Sequence, residues 1–337
     1  MYSDDMYGIM IALTQTGRGA LYSDYPRPSL FYTENFGRAW QPYRLPGAKA
    51  RDLAISNDGF GLLITNAGLA RTVDFGKSWS IALQLGNALS VAVRGNIIAA
   101  FACGDGSVHF TQDGGKTWSD LRVGLDGCIT KIRFVDRATA YLLVLQIIPD
   151  PSLTENVIRE RAYENWQYRV ALRMPGDAAG DWAAAERKLS TRTALVRCDI
   201  STGKCNVELA PDQFRIVDID AHNNLIAVLA SDQKIYSRQE GNTDWSLAKV
   251  AVPEYDGALE DLTLVSAETW LCSTGYNFAR STDAGANWKF VSKPGNIVCS
   301  TWFASEQRGF TTTGNYGGTF SVLETLDAGA NWGVVYD

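Results

Sequence analysis

Residues 72–79 read Thr-Val-Asp-Phe-Gly-Lys-Ser-Trp, and residues 111–118 read Thr-Gln-Asp-Gly-Gly-Lys-Thr-Trp. A hydroxyl, an acid two places on, a glycine two further and a tryptophan three beyond that make one pattern. It recurs as Thr33, Asn35, Gly37 and Trp40, as Ser281, Asp283, Gly285 and Trp288, and as Thr325, Asp327, Gly329 and Trp332. A copy stretched by one residue is Ser237, Gln239, Gly241 and Trp245. Neighbouring tryptophans stand 39, 39, 43 and 44 residues apart, with a gap of 127 between Trp118 and Trp245. Setting aside the 42 residues 149–190 leaves 85, room for two repeats of which one lacks the tryptophan. The rhythm therefore predicts seven repeats.

A period near 40 with short strands is the mark of propeller blades. Residues 128–135 alternate with period two, as a half-buried strand does, and 138–146 supply its neighbour. Similar pairs are 51–56 with 59–65, 214–221 with 224–230, and 261–265 with 268–272. Each pair precedes a third strand, an acid–glycine turn and a fourth strand beginning at the tryptophan. The expected fold is all-β: a seven-bladed β-propeller of four-stranded antiparallel blades over 1–337, with a helical insertion at 149–190 in blade four. Blade one supplies its own inner strand near 7–14, so no blade is expected to be shared between the two ends of the chain.

These turns resemble the Asp-box, or BNR, repeat. That family includes sialidases, xyloglucanases, sortilin-type receptor domains and the photosystem II assembly factor of the thylakoid lumen. The resemblance covers nearly the whole chain apart from the insertion and implies the propeller. It does not select a function, because the box occurs in enzymes and binding proteins alike. A sialidase would carry an arginine triad, a Tyr-Glu pair and an early Phe/Tyr-Arg-Ile-Pro. Here only Phe214-Arg-Ile-Val217 matches, without the proline and late in the chain. A xyloglucanase-like enzyme would usually carry two propellers, and an assembly-factor-like protein an arginine-rich patch that is not obvious here.

The acids Asp74, Asp113, Asp283 and Asp327, with Asn35, are expected to serve the backbone. An acid two residues before a glycine accepts turn amides while the glycine takes positive φ. Trp40, Trp79, Trp118, Trp245, Trp288 and Trp332 are expected to be buried between blades. Carboxylates suited to glycoside chemistry, which wants two across a cleft, lie instead near the inner strands: Asp52, Asp218, Glu260 and Asp261. Water-bound channel residues are the plainer reading of that group.

Charge and composition exclude several classes. The net charge of -6 argues against a nucleic-acid protein, because phosphate binding needs a basic face. Two histidines rule out a multi-imidazole metal centre, and neither His109 nor His222 has an obvious triad partner. No apolar run reaches the length of a membrane span, and no metal or cofactor is expected. Met1-Tyr-Ser-Asp-Asp lacks the features of a signal peptide, so the expectation is a cytosolic chain or one whose signal has been removed.

Six cysteines bear on the compartment. Register places Cys103 beside Cys128 and Cys272 beside Cys299, while Cys198 and Cys205 flank a hairpin. Three sequential disulfides, and hence a periplasmic or secreted setting, are expected; six reduced thiols are the alternative. Within 149–190, 13 residues are charged. Ser152-Leu-Thr-Glu155 reads as a capping box opening a helix that ends at Pro175-Gly176, and a second short helix is read over 181–189. Trp166, Trp182, Arg159 and Arg169 are the expected contacts for a partner on the face of the blade-to-blade connections. The partner expected is another protein, with a basic patch to suit the acidic chain; a glycan, bound or hydrolysed, is the alternative.

Overall fold

The computed structural model describes residues 8–336 except 25–26, 44–48, 97, 148–154, 172–176, 190, 212, 250–257, 292–296 and 315–319. Seven antiparallel sheets, each of four consecutive strands, follow one another along the chain. The first strands are Ile9–Leu13, Ala50–Ile55, Ala88–Arg94, Cys128–Phe134, Ile216–His222, Asp261–Leu264 and Ile297–Phe303. They lie next to one another around a central channel.

Period-two alternation explains how the ring holds together. The second strand of blade three, Ile98–Cys103, is apolar throughout because both of its faces are covered. Ile98, Ala100 and Ala102 pack with blade four, whereas Ala99, Phe101 and Cys103 pack with blade two. Every blade interface has its own cluster of this kind. Blades one and seven are each built from their own strands, as expected. They are joined by a Trp302 Nε1 bond to Leu13 O (2.8 Å) and by buried Glu324, which meets Arg38 at 3.1 Å and Arg308 at 3.0 Å.

The same alternation corrects two of the three expected disulfides. Cys198–Cys205 is formed across the third hairpin of blade four, but Cys103, Cys128, Cys272 and Cys299 are not disulfide-bonded. Register put each of those pairs at the right height and on the wrong side. Cys103 faces blade two, away from Cys128 in blade four. Cys272 faces blade five, away from Cys299 in blade seven, while its neighbour Leu271 takes the blade-seven side. One residue of parity separates the two sides of a strand.

Between the second and third strands of blade four lie helices α1 (Glu155–Ala171) and α2 (Ala178–Leu189). The Ser152 capping box and Pro175-Gly176 fall outside the described residues. Helix α2 starts three residues before the expected 181, because Asp177 caps it: Gly180 N donates to Asp177 Oδ1 at 2.8 Å. Asn165 Nδ2 donates to Asp181 O at 3.1 Å, and Ile158 and Ala185 are buried, so the two helices pack on each other.

Candidate functional site: the channel ring

Five first strands carry a β-bulge at one common place, skipping Arg51, Leu89, Thr130, Val217 and Cys299. A bulge re-aims the residue that follows it. Those residues are Asp52, Ser90, Lys131, Asp218 and Ser300, and Asp261 opens the sixth strand beside them. The ring is stitched from blade to blade. Asp52 Oδ2 accepts Val91 N and Ser90 Oγ, each at 2.9 Å. Ser90 Oγ accepts Ile132 N at 3.3 Å, Asp218 Oδ2 accepts Leu262 N at 2.9 Å, and Asp220 Oδ2 accepts Leu264 N at 2.8 Å.

Two cations are threaded through these acids. Lys131 Nζ pairs closely with Asp218 and lies 3.4 Å from Asp261 Oδ1. Arg133 Nε donates to Asp220 Oδ1 at 3.2 Å. Asp52, Asp218 and Asp261, named from the sequence, are thus brought to one region, whereas Glu260 stands exposed beside it. Lys131, Arg133 and Asp220 were not anticipated; basic residues at alternate places in an inner strand were the available signal.

Four carboxylates share two cations, and the surplus falls on Asp261. Burial above all, then repulsion from Asp218, pushes its carboxyl up to about 7, against the pull of Lys131. Asp218 goes the other way: Lys131 and its hydrogen bonds outweigh burial and hold it low. A carboxyl raised in the folded state binds its proton more tightly there. Asp261 therefore removes stability as pH climbs from its ordinary value through about 7. Asp261→Asn is expected to flatten that slope and raise stability at pH 8 by roughly 1–2 kcal/mol, discounted because the side chain is partly solvated. Urea midpoints of both proteins at pH 5 and pH 8 check this; parallel curves would refute it.

The turn acids do something else. Thr72 Oγ1 donates to Asp74 Oδ1 at 2.8 Å and accepts Gly76 N at 3.0 Å, while Asp74 Oδ1 accepts Ser78 N at 2.9 Å. The same bonds are made at Asn35, Asp113, Asp283 and Asp327. Phe75 and Gly76 both hold positive φ, 65° and 86°, and a Cβ on Gly76 would stand 3.0 Å from Ala20 Cβ in blade one. The four carboxylates and the Asn35 amide are spread over five blades. Hydrogen bonds from Asn287 and Ser281 hold Asp283 below the usual carboxylate range, as those of Thr117 and Thr111 hold Asp113.

Trp40, Trp79, Trp118, Trp245, Trp288 and Trp332 each pack into the interface with the preceding blade. Blade five departs from the expected turn. No such bond joins Ser237 to Gln239 or Gly241 among the described residues; Arg238 instead reaches back to blade four. It meets Tyr141 Oη at 2.9 Å and Glu208 at 2.8 Å, with its guanidinium 4.9 Å from the Trp245 ring.

His109 does have partners, contrary to expectation: Asp120 at 2.5 Å and Ser107 Oγ at 3.2 Å. The Ser107 hydroxyl donates to Asp105 at 2.6 Å, however, and Asp120 is 73% exposed, so the set is a network on the strand surface. His222 lies 3.7 Å from Glu306.

Of the insertion residues, Trp166 is 41% exposed and stacks on Tyr163, itself 57% exposed, with ring centroids 5.4 Å apart. Trp182 is half-buried. Arg159 pairs with Glu155 along α1 at 2.7 Å, and the Arg169 side chain lies outside the described residues.

No family model matches the chain, and no curated protein matches it. Its fold is similar to that of solved propellers at low identity. YCF48 from Cyanidioschyzon merolae matches with 16% identity and a TM-score of 0.62 over 96% of each chain. YCF48 bound to D1 peptide gives 14% and 0.61 over 91% of each. The GH74 xyloglucanase from Xanthomonas campestris gives 13% and 0.55 over 97% of this chain and 60% of that one.

Proposed function

We propose that this propeller is a non-catalytic protein-binding module, and that it grips its partner on the face of the blade-to-blade connections, where α1 and α2 stand as an arm inserted in blade four. The carrying observation is the exposed Tyr163–Trp166 stack on α1, with Val170 also 50% exposed nearby. Apolar and aromatic side chains left in water on a helix are suited to anchoring a partner. Trp182, Arg159 and Arg169 belong to the same arm. A solved propeller of similar fold is bound to a peptide, which supports the reading by analogy. The acidic balance favours a partner with a basic patch, and the disulfide favours an oxidising compartment. The recurrent turns are read as Asp-boxes, with the acids serving structure.

The channel carboxylates argue against chemistry. Asp52 and Asp218 are engaged by backbone amides, a hydroxyl and a lysine rather than open to a substrate. The raised carboxyl of Asp261 beside Asp218 is the one observation that favours a glycan-active enzyme instead. The test uses affinity capture from the native source. The full chain is expected to retain a specific protein, and Tyr163→Ala/Trp166→Ala to lose it by at least about tenfold, since such anchors dominate interface energy. Equal capture by both would overturn the assignment. Turnover of a chromogenic glycoside, abolished in Asp261→Asn, would install the enzyme reading.

A further inference from the structure

At the opposite end of the channel, the turns that join first and second strands lie on the side of the tryptophan turns. Phe75 N donates to Gly59 O at 3.0 Å and Phe36 N to Gly17 O at 2.9 Å, tying the two sets together. A concavity of about 280 Å³ opens there across blades two, three and seven. Ile55, Val93, Phe303 and Trp302 give it apolar walls, and Ser56, Asn57, Asp58 and Arg94 give it polar ones.

Arg94 is half-buried and Asp58 stands exposed at the rim. Among the described residues neither the Arg94 nor the Asp58 side chain has an ion-pair or hydrogen-bond partner. Several other guanidinium groups, those of Arg133, Arg197 and Arg308 among them, are matched to carboxylates. Asp58 lies near blade three, its Oδ2 3.8 Å from where a Cβ on Gly95 would stand. Ser56 is 8% exposed, and its hydroxyl is buried with no partner. The Trp302 indole is fixed by its bond to Leu13 O, so that wall is pre-formed. Asn57 is fixed likewise by Gln15 N at 2.8 Å.

We propose that this channel mouth binds a free α-amino acid with an apolar or aromatic side chain. The guanidinium of Arg94 takes the carboxylate, for which its fork geometry is suited. Asp58 takes the ammonium group, and Trp302 and Phe303 take the side chain. The volume, just below the usual range for ligand sites, suits one small molecule that carries both charges. The site lies on the face away from the α1–α2 arm, so it stands or falls independently of the protein-binding reading.

The probe is L-phenylalanine, titrated into the full chain by calorimetry or ligand-observed NMR. Saturable binding is expected. N-acetyl-L-phenylalanine, without the ammonium, and L-phenylalaninamide, without the carboxylate, are each expected to bind at least about tenfold more weakly, as is glucose, which offers only hydroxyls. Arg94→Gln is expected to lose affinity for L-phenylalanine by a similar factor with unchanged melting, since Arg94 holds nothing else together. Asp58→Asn should weaken L-phenylalanine but leave N-acetyl-L-phenylalanine unaffected. Absence of binding at roughly 10 mM overturns the proposal, as does equal affinity of wild type and Arg94→Gln. Tighter binding of glucose would reassign the pocket to sugars and overturn it too.

Discussion

Lys131→Met is expected to destabilise the protein by roughly 3–5 kcal/mol, the range for breaking a buried ion pair from one side. Lys131 is 17% exposed and Asp218 5% exposed, so water cannot replace the lost cation. Asp218 also accepts Leu262 N from the next blade, so a strained carboxylate would loosen the junction of blades five and six. Methionine keeps the length and apolar stem of lysine, which isolates the charge. Chemical denaturation at pH 8, where Asp261 is ionised, should show the largest loss. At pH 5 the protonated Asp261 needs the lysine less, and the loss should shrink. Adding Asp218→Asn to Lys131→Met should recover most of the deficit, because the amide keeps an acceptor for Leu262 N without the charge. A single substitution within about 1 kcal/mol of wild type would show that the pair contributes no net stability.

Trp270→Ala is expected to cost about 3–5 kcal/mol, the usual range for removing a buried large aromatic. Trp270 is 1% exposed and stands in the second strand of blade six, outside the turn repeat. It packs with Leu229, Ile235 and Leu262 and with Trp288, whose ring centroid is 6.4 Å away. Its Nε1 donates to Ala267 O at 3.2 Å. A Cβ added to Gly285 would stand 2.7 Å from its ring, so the neighbouring turn is moulded against it and cannot collapse into the space it leaves. Trp270→Phe should restore about half of the loss. The urea midpoint measures both; a change below about 1 kcal/mol would mean that the cavity fills by rearrangement.

Much of the architecture was legible because it is written locally and repeated. The hydroxyl, acid and glycine of each turn sit within five residues, so their spacing alone states which backbone amides are capped. The helices of blade four were legible for the same reason, except where Asp177 begins α2 earlier than periodicity suggested. Blade five was misleading: Ser237, Gln239 and Gly241 read as a stretched copy of the turn, and neither the missing bonds nor what stands in their place was legible. Arg238, Tyr141 and Glu208 are about 30 to 100 positions apart and meet only when blades four and five close on each other.

The order of residues along the chain determined the number of blades, the place of the insertion and the structural use of Asp74, Asp113, Asp283 and Asp327. It also placed Cys198 opposite Cys205, because a hairpin is a local object. Tertiary structure alone decided which side of a strand each residue faces, and so kept Cys103 from Cys128 and Cys272 from Cys299. It alone gathered Asp52, Lys131, Asp218 and Asp261 around one channel, and Arg94, Asp58 and Trp302 at its far mouth. The physical reason is the range of the forces. Turn hydrogen bonds act between near neighbours in sequence, whereas burial and charge compensation act between neighbours in space, which exist only once the ring has closed.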